Sequence, residues 1–145
     1  MTHVIRRFTV FMFATLMVLA LPAMAEDAAA KPSVVYHVDD HTRAIAAFRN
    51  ITNQLKAAPD TRIVVVALGH GVDFLLDGAM DERKNPYEPM IDDLIFAGVE
   101  FKVCDNTLTS RQIDPDDVHP DVTRVPSGVV EITRLQQQGF AYLKP

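Results

Sequence analysis

The sequence predicts a three-layer α/β/α domain, in which helices cover both faces of a mainly parallel sheet of five strands. The first observation is that the strand-like segments are continuous apolar runs, such as residues 62–68 with their three consecutive valines. Such runs are typical of strands that are covered on both faces. The second observation is that segments with apolar residues at helical spacing separate these runs, and this alternation favours parallel strands.

Residues 1–25 are predicted to be a secretory signal peptide. Two arginines precede a charge-free apolar run at 8–21, and the small residues Ala23 and Ala25 provide a cleavage signal after Ala25. This run is shorter than the roughly 20 residues that a membrane-spanning helix needs, so a cleaved signal is favoured over a membrane anchor. We therefore expect a periplasmic or secreted protein without a membrane span after cleavage. A disordered leader over 26–32 and one domain over 33–145 should remain.

Residues 33–38 form the first predicted strand, which two aspartates end. Residues 42–57 carry apolar side chains at helical spacing, so we expect an amphipathic helix whose start is capped by Asp40 or Thr42. Residues 62–68 follow as the most apolar strand. Because this strand lacks alternation, it should be central in the sheet.

The remaining elements are predicted from apolar spacing, from glycine and proline positions and from capping residues. After the second strand we expect a Gly69-His70-Gly71 turn, a short helical turn at 72–76, a loop or flap at 77–89, a helix at 90–97 and a strand at 99–103. Then we expect helical turns at 107–113, an acidic loop at 114–120, a strand at 122–125, a helix at 128–138 capped by Ser127, and a last strand at 140–143. The crossovers between these strands should be right-handed.

The charge of the chain argues against nucleic acid as a partner. Without the two arginines of the signal peptide, 12 basic residues stand against 19 acidic ones, a net charge of −7. Binding to a phosphate backbone needs a basic face, which these scattered lysines and arginines do not provide. Cysteine usage excludes an internal disulfide, because Cys104 is the only cysteine, and there is no Cys-x-x-Cys pair of a disulfide oxidoreductase.

A functional site is expected beyond the carboxyl ends of the strands, where parallel α/β sheets bind their ligands. The first three strands and the start of the last helix deliver polar residues to this edge. The candidate catalytic residues are Cys104 and His70, and the candidate ligand-binding residues are His37, Gly69, Gly71, Asp105, Asn106, Thr107, Ser127 and Gly128.

Cys104 is the most specific chemical feature, because a lone thiol stands where a strand gives way to a helical turn. Backbone N–H groups and the positive end of the helix dipole lower the pKa of a thiol in such a place. Asn106 and Thr107 add hydrogen-bond donors, whereas a carboxylate at Asp105 would raise the pKa of the Cys104 thiol. The alternative is a buried structural cysteine that behaves as a small hydrophobe, and its sequence position leaves both interpretations open.

Two histidines near this edge each have two interpretations. His70 lies between two glycines and is either a proton donor and thiol partner or an exposed turn residue. His37 lies within the first strand, and we expect a core or sheet-end histidine that is hydrogen-bonded to the backbone. His37, His70 and Cys104 are also of types that bind transition metals, but no closely spaced pair supports a metal site. We therefore expect neither a metal nor an organic cofactor.

Six segments carry a resemblance by their order and spacing. They are Val-Val-Tyr-His-Val (34–38), Arg-Asn-Ile-Thr-Asn-Gln-Leu (49–55), Ile-Val-Val-Val-Ala-Leu-Gly-His-Gly-Val (63–72), Gly-Val-Glu-Phe-Lys-Val-Cys-Asp-Asn-Thr-Leu (98–108), Val-Pro-Ser-Gly-Val-Val-Glu-Ile (125–132) and Gln-Gln-Gly-Phe-Ala-Tyr-Leu-Lys-Pro (137–145). Together they resemble the DsrE/DsrF-like family, in its exported branch of small single-domain proteins.

The resemblance implies a fold of the flavodoxin-like topology class and assembly into trimers or hexamers. In sulfur-relay members of the family, a cysteine at the position of Cys104 accepts sulfur as a persulfide and passes it to a partner. The resemblance therefore implies a persulfide on Cys104 as the one bound group. It also implies a sulfur donor or acceptor protein as the partner.

Two functional hypotheses of different classes follow. In the first, the protein is a periplasmic thiol-based sulfur carrier or sulfurtransferase, in which Cys104 holds the sulfur and His70 moves a proton. The turn from Gly69 to Gly71 and Asn106 would line its site. In the second, the protein is a non-catalytic oligomeric module that binds a small ligand or partner protein and keeps Cys104 buried. A metal-binding or redox-sensing protein is a third hypothesis.

Apolar residues near the C-terminus provide more apolar surface than a small sheet can cover, so we expect them to form an interface between copies. These residues are Val129, Val130, Ile132, Leu135, Phe140 and Tyr142.

Overall fold

The computed structural model describes residues 31–145, so the predicted signal peptide and most of the predicted leader lie outside the described residues. Its strands are β1 (Ser33–Asp40), β2 (Arg62–His70), β3 (Glu100–Cys104), β4 (Thr123–Val125) and β5 (Ala141–Leu143). Its α-helices are α1 (Ala44–Ala57), α2 (Glu88–Phe96), α3 (Asp105–Arg111) and α4 (Gly128–Gln137). Short 3-10 turns cover His41–Arg43, Gly71–Leu75 and Pro115–Asp117. Within this described part, none of the helices has the length and apolar character needed to cross a bilayer.

All strand pairs in the sheet are parallel, and the strand order is β4-β3-β2-β1-β5. The predicted α/β class with a parallel, five-stranded sheet is thereby confirmed. From β1 to β4 the chain moves one strand at a time in one direction, and α4 then carries it back to β5 beside β1. Because crossovers between parallel strands are right-handed, this reversal puts α4 on the opposite face of the sheet from the earlier helices.

Two apolar layers result, one on each face of the sheet. The larger layer packs α1, α2 and the Gly71–Leu75 turn against the sheet. At its centre the rings of Phe48, Phe74 and Phe101 meet edge to face, with centroids 5.6 to 6.5 Å apart. The smaller layer takes all of its helical members from α4, and its buried residues are Val35, Val64, Val66, Ile132, Leu135 and Phe140.

Several boundaries differ from the predicted ones at the carboxyl edge. β1 and β2 continue beyond residues 38 and 68, because the ladder between them resumes after an irregularity and pairs Asp40 with His70. α3 begins at Asp105, directly after β3, and not at residue 107. α2 begins at Glu88 and includes a proline in its first turn, where the missing N–H would have no partner within the helix.

The residues predicted to form an interface divide into two groups. Ile132, Leu135 and Phe140 are buried in the smaller layer, so the expectation that they form an interface is wrong. Their burial follows from the position of α4, which covers its face of the sheet without help from another helix of that layer. Val129, Val130 and Tyr142 are 64%, 65% and 40% exposed.

Gly71 lets the Gly71–Leu75 turn pack against the backbone of β1. A Cβ atom built on Gly71 would lie 2.0 Å from the carbonyl oxygen of Val38 and 2.9 Å from the Cα atom of Asp39. These are backbone atoms of β1, and Val38 is paired with Ala67 of β2, so they cannot move aside without disturbing the sheet. This contact gives Gly71 a packing role.

The variant Gly71→Ala should lose about 3 kcal/mol or more of unfolding free energy, because the added methyl group overlaps the backbone of β1. Gly78→Ala is a matched control, because a Cβ atom there meets nothing within 4 Å. Its φ of +67° should cost only about 1 kcal/mol of backbone strain. Urea unfolding measures both losses, and equal losses would contradict the packing role.

Candidate functional site

Cys104 stands where β3 ends and α3 begins. It is the last residue of the strand and the N-cap residue of the helix, with extended backbone angles (φ −81°, ψ 113°). β4 ends level with it, because Cys104 and Val125 are partners in the parallel ladder. The residue is 5% exposed, so the thiol is largely covered and does not project into solvent.

This position is a topological switch point of the sheet. The chain leaves β3 through α3, whose Leu108 belongs to the larger apolar layer. It leaves β4 through α4, whose apolar residues belong to the smaller layer on the other face. The starts of two helices on opposite faces therefore flank the carboxyl ends of β3 and β4. Open α/β sheets bind ligands in the crevice at such a point.

Four hydrogen-bond donors from the two helix starts surround the sulfur of Cys104. They are the backbone N–H groups of Gly128 and Thr107, the hydroxyl of Thr107 and, with the smallest effect, the N–H of Asn106, which also donates to the carbonyl oxygen of Pro126 at 3.3 Å. Burial raises the pKa of the Cys104 thiol, but these donors favour the thiolate and bring the pKa below the ordinary value of a cysteine. Such donors are typical of an activated thiol, whereas a purely structural cysteine has apolar neighbours.

Thr107 links the sulfur to the end of β2. Its hydroxyl oxygen accepts a hydrogen bond of 3.1 Å from the N–H of Gly69, which leaves the hydroxyl hydrogen free for the sulfur. Gly69 has a φ of +61°, in the left-handed region that glycine enters without strain. Arg111 donates to the carbonyl oxygen of Gly69 at 3.0 Å and to the carboxylate of Asp73 at 2.6 Å. The backbone at Gly69 is thus held on both its N–H and carbonyl sides.

Gly128 brings the first turn of α4 into contact with Cys104. A Cβ atom on Gly128 would lie 3.2 Å from the Cβ atom of Cys104 and 3.0 Å from Cδ2 of Leu68. A larger residue would therefore push the start of α4 away from the sulfur. Ser127 occupies the N-cap position of α4, as predicted, but its hydroxyl makes no capping hydrogen bond.

Asp105 is paired with a cation that its position in the sequence did not reveal. Its carboxylate accepts a hydrogen bond of 2.7 Å from Nε of Arg124, on the neighbouring strand β4. The guanidinium offsets the negative charge that was expected to oppose ionisation of Cys104. Sequence reasoning missed Arg124 because the two residues are separated by 19 positions and meet only through the β3–β4 pairing.

The two candidate histidines are not among the groups that lower the pKa of the Cys104 thiol. The side chain of His70 is 77% exposed, and its Nδ1 lies 3.7 Å from Oδ2 of Asp73. His37 lies on β1, separated from β3 by β2. Its Nδ1 forms a 2.7 Å hydrogen bond with the hydroxyl of Tyr142, so the expected backbone hydrogen bond is wrong. Burial lowers the pKa of His37.

Among the residues that the structure describes, one group of side chains has the proximity of metal ligands, and it lies apart from Cys104. Ligand atoms of Glu88, Asp92 and His119 are within 4.8 Å of one another, and Nε2 of His119 is 3.0 Å from Oδ1 of Asp92. Sequence reasoning did not select these residues, because α2 and the segment before β4 are distant in the chain. The alternative metal set of Cys104 with two histidines is not assembled in the described part.

Two cavities lie away from the sulfur. A groove of about 810 Å³ runs between α1 and α2, on the face of the sheet opposite α4. A smaller cavity of about 320 Å³ lies between α2 and the segment from Asp116 to Pro120. Neither is lined by Cys104 or by its four donor groups. The candidate site is therefore a covered thiol at the sheet edge and not part of either cavity.

The fold and the site together define a class: a small parallel α/β protein with a cysteine at the switch point of its sheet. The DsrE/DsrF-like family model matches residues 32–145, and the chain belongs to this family. The predicted family is thereby confirmed. The DsrE-like family is generally related to sulfur relay.

Two solved structures are similar to this chain. A protein of unknown function, MTH1491 from Methanobacterium thermoautotrophicum, is 35% identical over 79% of this chain and 100% of its own, with a TM-score of 0.69. The ychN protein from E. coli is 14% identical over 79% of this chain and 99% of its own, with a TM-score of 0.65. The second likeness concerns the fold alone. No curated protein matches the chain.

The variant Thr107→Val removes the hydroxyl donor and keeps the shape of the side chain. Losing one hydrogen bond to a charged sulfur should slow alkylation of Cys104 at neutral pH about tenfold, because less thiolate is present. Since the thiolate forms as the pH rises through the thiol pKa, the wild-type rate should rise at a lower pH than that of a free cysteine. The curve of the variant should move to higher pH.

Rates of iodoacetamide alkylation, followed by mass spectrometry across a pH series, give both curves. Thr107→Ser is the control, because it keeps the hydroxyl. Coinciding curves for the Val and Ser variants would show that the hydroxyl does not act on the sulfur.

Proposed function

We propose that this protein is an exported, periplasmic sulfur carrier that holds sulfane sulfur as a persulfide on Cys104. The observation that carries the proposal is the set of four donors around a covered sulfur. These donors favour negative sulfur, and both the attacking thiolate and the product persulfide anion are negative sulfur species. Family membership supports the sulfur chemistry, and the predicted signal peptide supports export.

The proposed transfer is a thiol exchange without net oxidation. The thiolate of Cys104 attacks the outer sulfur of a donor persulfide, R–S–SH. A bond forms between Sγ of Cys104 and this outer sulfur while the S–S bond of the donor breaks. The donor leaves as the thiolate R–S⁻, and Cys104 becomes Cys–S–SH. Attack on the outer sulfur by an acceptor thiolate is the same reaction in reverse, and it restores the thiolate of Cys104.

In this proposal, backbone groups provide most of the stabilisation of the thiolate. The N–H groups of Gly128 and Thr107 stabilise the thiolate before transfer and after sulfur is released. Gly69 acts through the hydroxyl of Thr107. The side chain of His70 faces Asp73 and is not among the groups that act on the sulfur of Cys104. The proton-transfer role predicted for His70 therefore remains a prediction.

A second function is favoured by one observation, the 5% exposure of Cys104. In this alternative the cysteine is structural, and the protein is a non-catalytic oligomeric module that binds a small ligand or a partner protein. The two proposals differ in whether a reagent reaches the sulfur in the folded state.

Incubation with an alkyl persulfide should add the mass of one sulfur atom to the wild-type chain and nothing to Cys104→Ser, because only a thiolate attacks the donor. Intact-protein mass spectrometry measures the adduct, and a reducing thiol should remove it. Thr107→Ser keeps all four donors and should still form the adduct. A wild-type chain without an adduct would contradict the proposal. Labelling by a neutral maleimide only after denaturation would then favour the structural cysteine.

We also propose that copies of the chain associate through the outer side of α4 and the adjoining part of β5, in the trimers or hexamers that the family resemblance implies. Val129 and Val130 are more than half exposed, and Tyr142 and Leu143 are 40% and 43% exposed. Exposed apolar side chains of this size are typical of interfaces. β5 is also an edge strand with one unpaired side.

Light scattering at micromolar concentration should show wild-type particles larger than a monomer. Replacing Val129 and Val130 together by glutamate should give monomers, because two charges would be buried in the interface. Phe96→Glu is the matched control, since Phe96 is 95% exposed at the end of α2. Dissociation by the control and not by the α4 variant would place the interface elsewhere.

A further inference from the structure

A charged cluster lies on the same face of the sheet as Cys104, one turn further along α4. Nζ of Lys102, two residues before Cys104 on β3, lies 2.6 Å from Oε1 of Glu131, three residues after Gly128. The side chains of Lys102 and Glu131 are only 11% and 10% exposed. The guanidinium of Arg134 binds the same carboxylate through hydrogen bonds of 2.8 and 2.7 Å.

These contacts join α4 to β3 at two successive levels. Gly128 lies against Cys104, and Glu131 lies against Lys102. Two residues along a strand span about 6.6 Å, and three residues along a helix span about 4.5 Å. The long side chains of Lys102 and Glu131 bridge the difference of about 2 Å, so the contact between Glu131 and Lys102 also places Gly128 on Cys104.

The ion pair restricts the position of α4 more strictly than the apolar contacts do. Apolar burial is non-directional and tolerates a small slide of the helix. The same slide would leave the ammonium of Lys102 nearly buried and without its partner, which is costly. Glu100 does not replace this partner, because its Oε2 is 3.8 Å from Lys102 and its other oxygen binds Arg62 at 2.9 Å. Arg134 and Lys102 lower the pKa of Glu131 to about 2, so the pair persists over the physiological pH range.

We infer that Lys102 and Glu131 are positioning residues that hold the N–H of Gly128 against the sulfur of Cys104. Neither residue touches the sulfur, and both act through the position of α4. The inference deepens the proposed sulfur-carrier function and rests on it for its biological purpose. Its test measures the thiol itself and needs no sulfur donor.

The test is the pH dependence of Cys104 alkylation in the full-length protein that carries Lys102→Met and Glu131→Gln together. The double substitution removes one positive and one negative charge, so a shift cannot come from a change in local net charge. We expect alkylation at neutral pH to slow about tenfold, the effect of one lost hydrogen bond to a thiolate. The plateau rate at high pH should not fall. A purely structural role predicts the opposite at neutral pH, because a loosened helix would expose the thiol and speed alkylation.

Four further variants sharpen the result. Each single substitution should slow alkylation nearly as much as the pair, because both residues act through one contact and their effects are not additive. Ile63→Val removes one methylene group from the larger layer on the other face, so it should lower stability and leave the pH profile unchanged. Gly128→Ala should move the profile with the charges intact, because its Cβ atom presses on Cys104 and Leu68. It also keeps the inference testable if the charge variants do not fold.

An unchanged profile in a folded double variant, or an equal shift in Ile63→Val, would overturn the positioning role. So would an unchanged profile in Gly128→Ala. Failure of the sulfur-carrier function has a different signature: the profile shifts as expected, but the wild-type chain gains no sulfur from a persulfide.

Discussion

The handedness of the crossovers is the constraint on which the rest of the structure depends. Connections that move in one direction along the sheet place α1, α2 and α3 on one face, and one reversal places α4 on the other. The exits from β3 and β4 therefore lead to opposite faces. Backbone N–H groups in the first turn of a helix have no partner within that helix. Cys104 stands where N–H groups from the starts of these two helices meet.

Two opposing effects set the state of this sulfur. Burial favours the neutral thiol, whereas the donors from α3 and α4 favour the thiolate, and the donors prevail. Arg124 offsets the adjacent carboxylate of Asp105 at 2.7 Å. Activation thus depends mainly on backbone groups, whose directions follow from the fold, and it needs no histidine as a base. This explains how a cysteine with little exposure can still have a lowered pKa.

Much of this arrangement could be predicted because it follows from periodicity and topology. Alternating strands and helices indicate a parallel sheet, and the carboxyl-edge rule selected Asn106, Thr107 and Gly128, which all face the sulfur. Side-chain direction could not be predicted in the same way, since β2 continues through His70 and leaves its ring beside Asp73. Apolar character alone also led to the wrong prediction that Ile132, Leu135 and Phe140 form an interface. The area of the sheet that α4 covers depends on where the chain re-enters the sheet as β5, which apolar character does not indicate. The ion pair between β3 and α4 joins residues 29 positions apart, and no local pattern connects them.

The low exposure of Cys104, which lies under the start of α4, bears on how a lone thiol would function in an oxidising compartment. A disulfide between two proteins needs their Cβ atoms within about 4.5 Å, so two backbones must approach closely. At Cys104 the start of α4 already occupies that space, since even a methyl group on Gly128 would lie 3.2 Å from the Cβ atom. In the proposed function, a small persulfide has to bring only one sulfur atom to Cys104 and no second protein backbone. Once bound, the outer sulfur lies one S–S bond, about 2.05 Å, beyond Sγ and becomes the atom that an acceptor thiolate reaches. The start of α4 thus opposes dimerisation through the free thiol, which would suit the proposed role of Cys104 as a sulfur carrier.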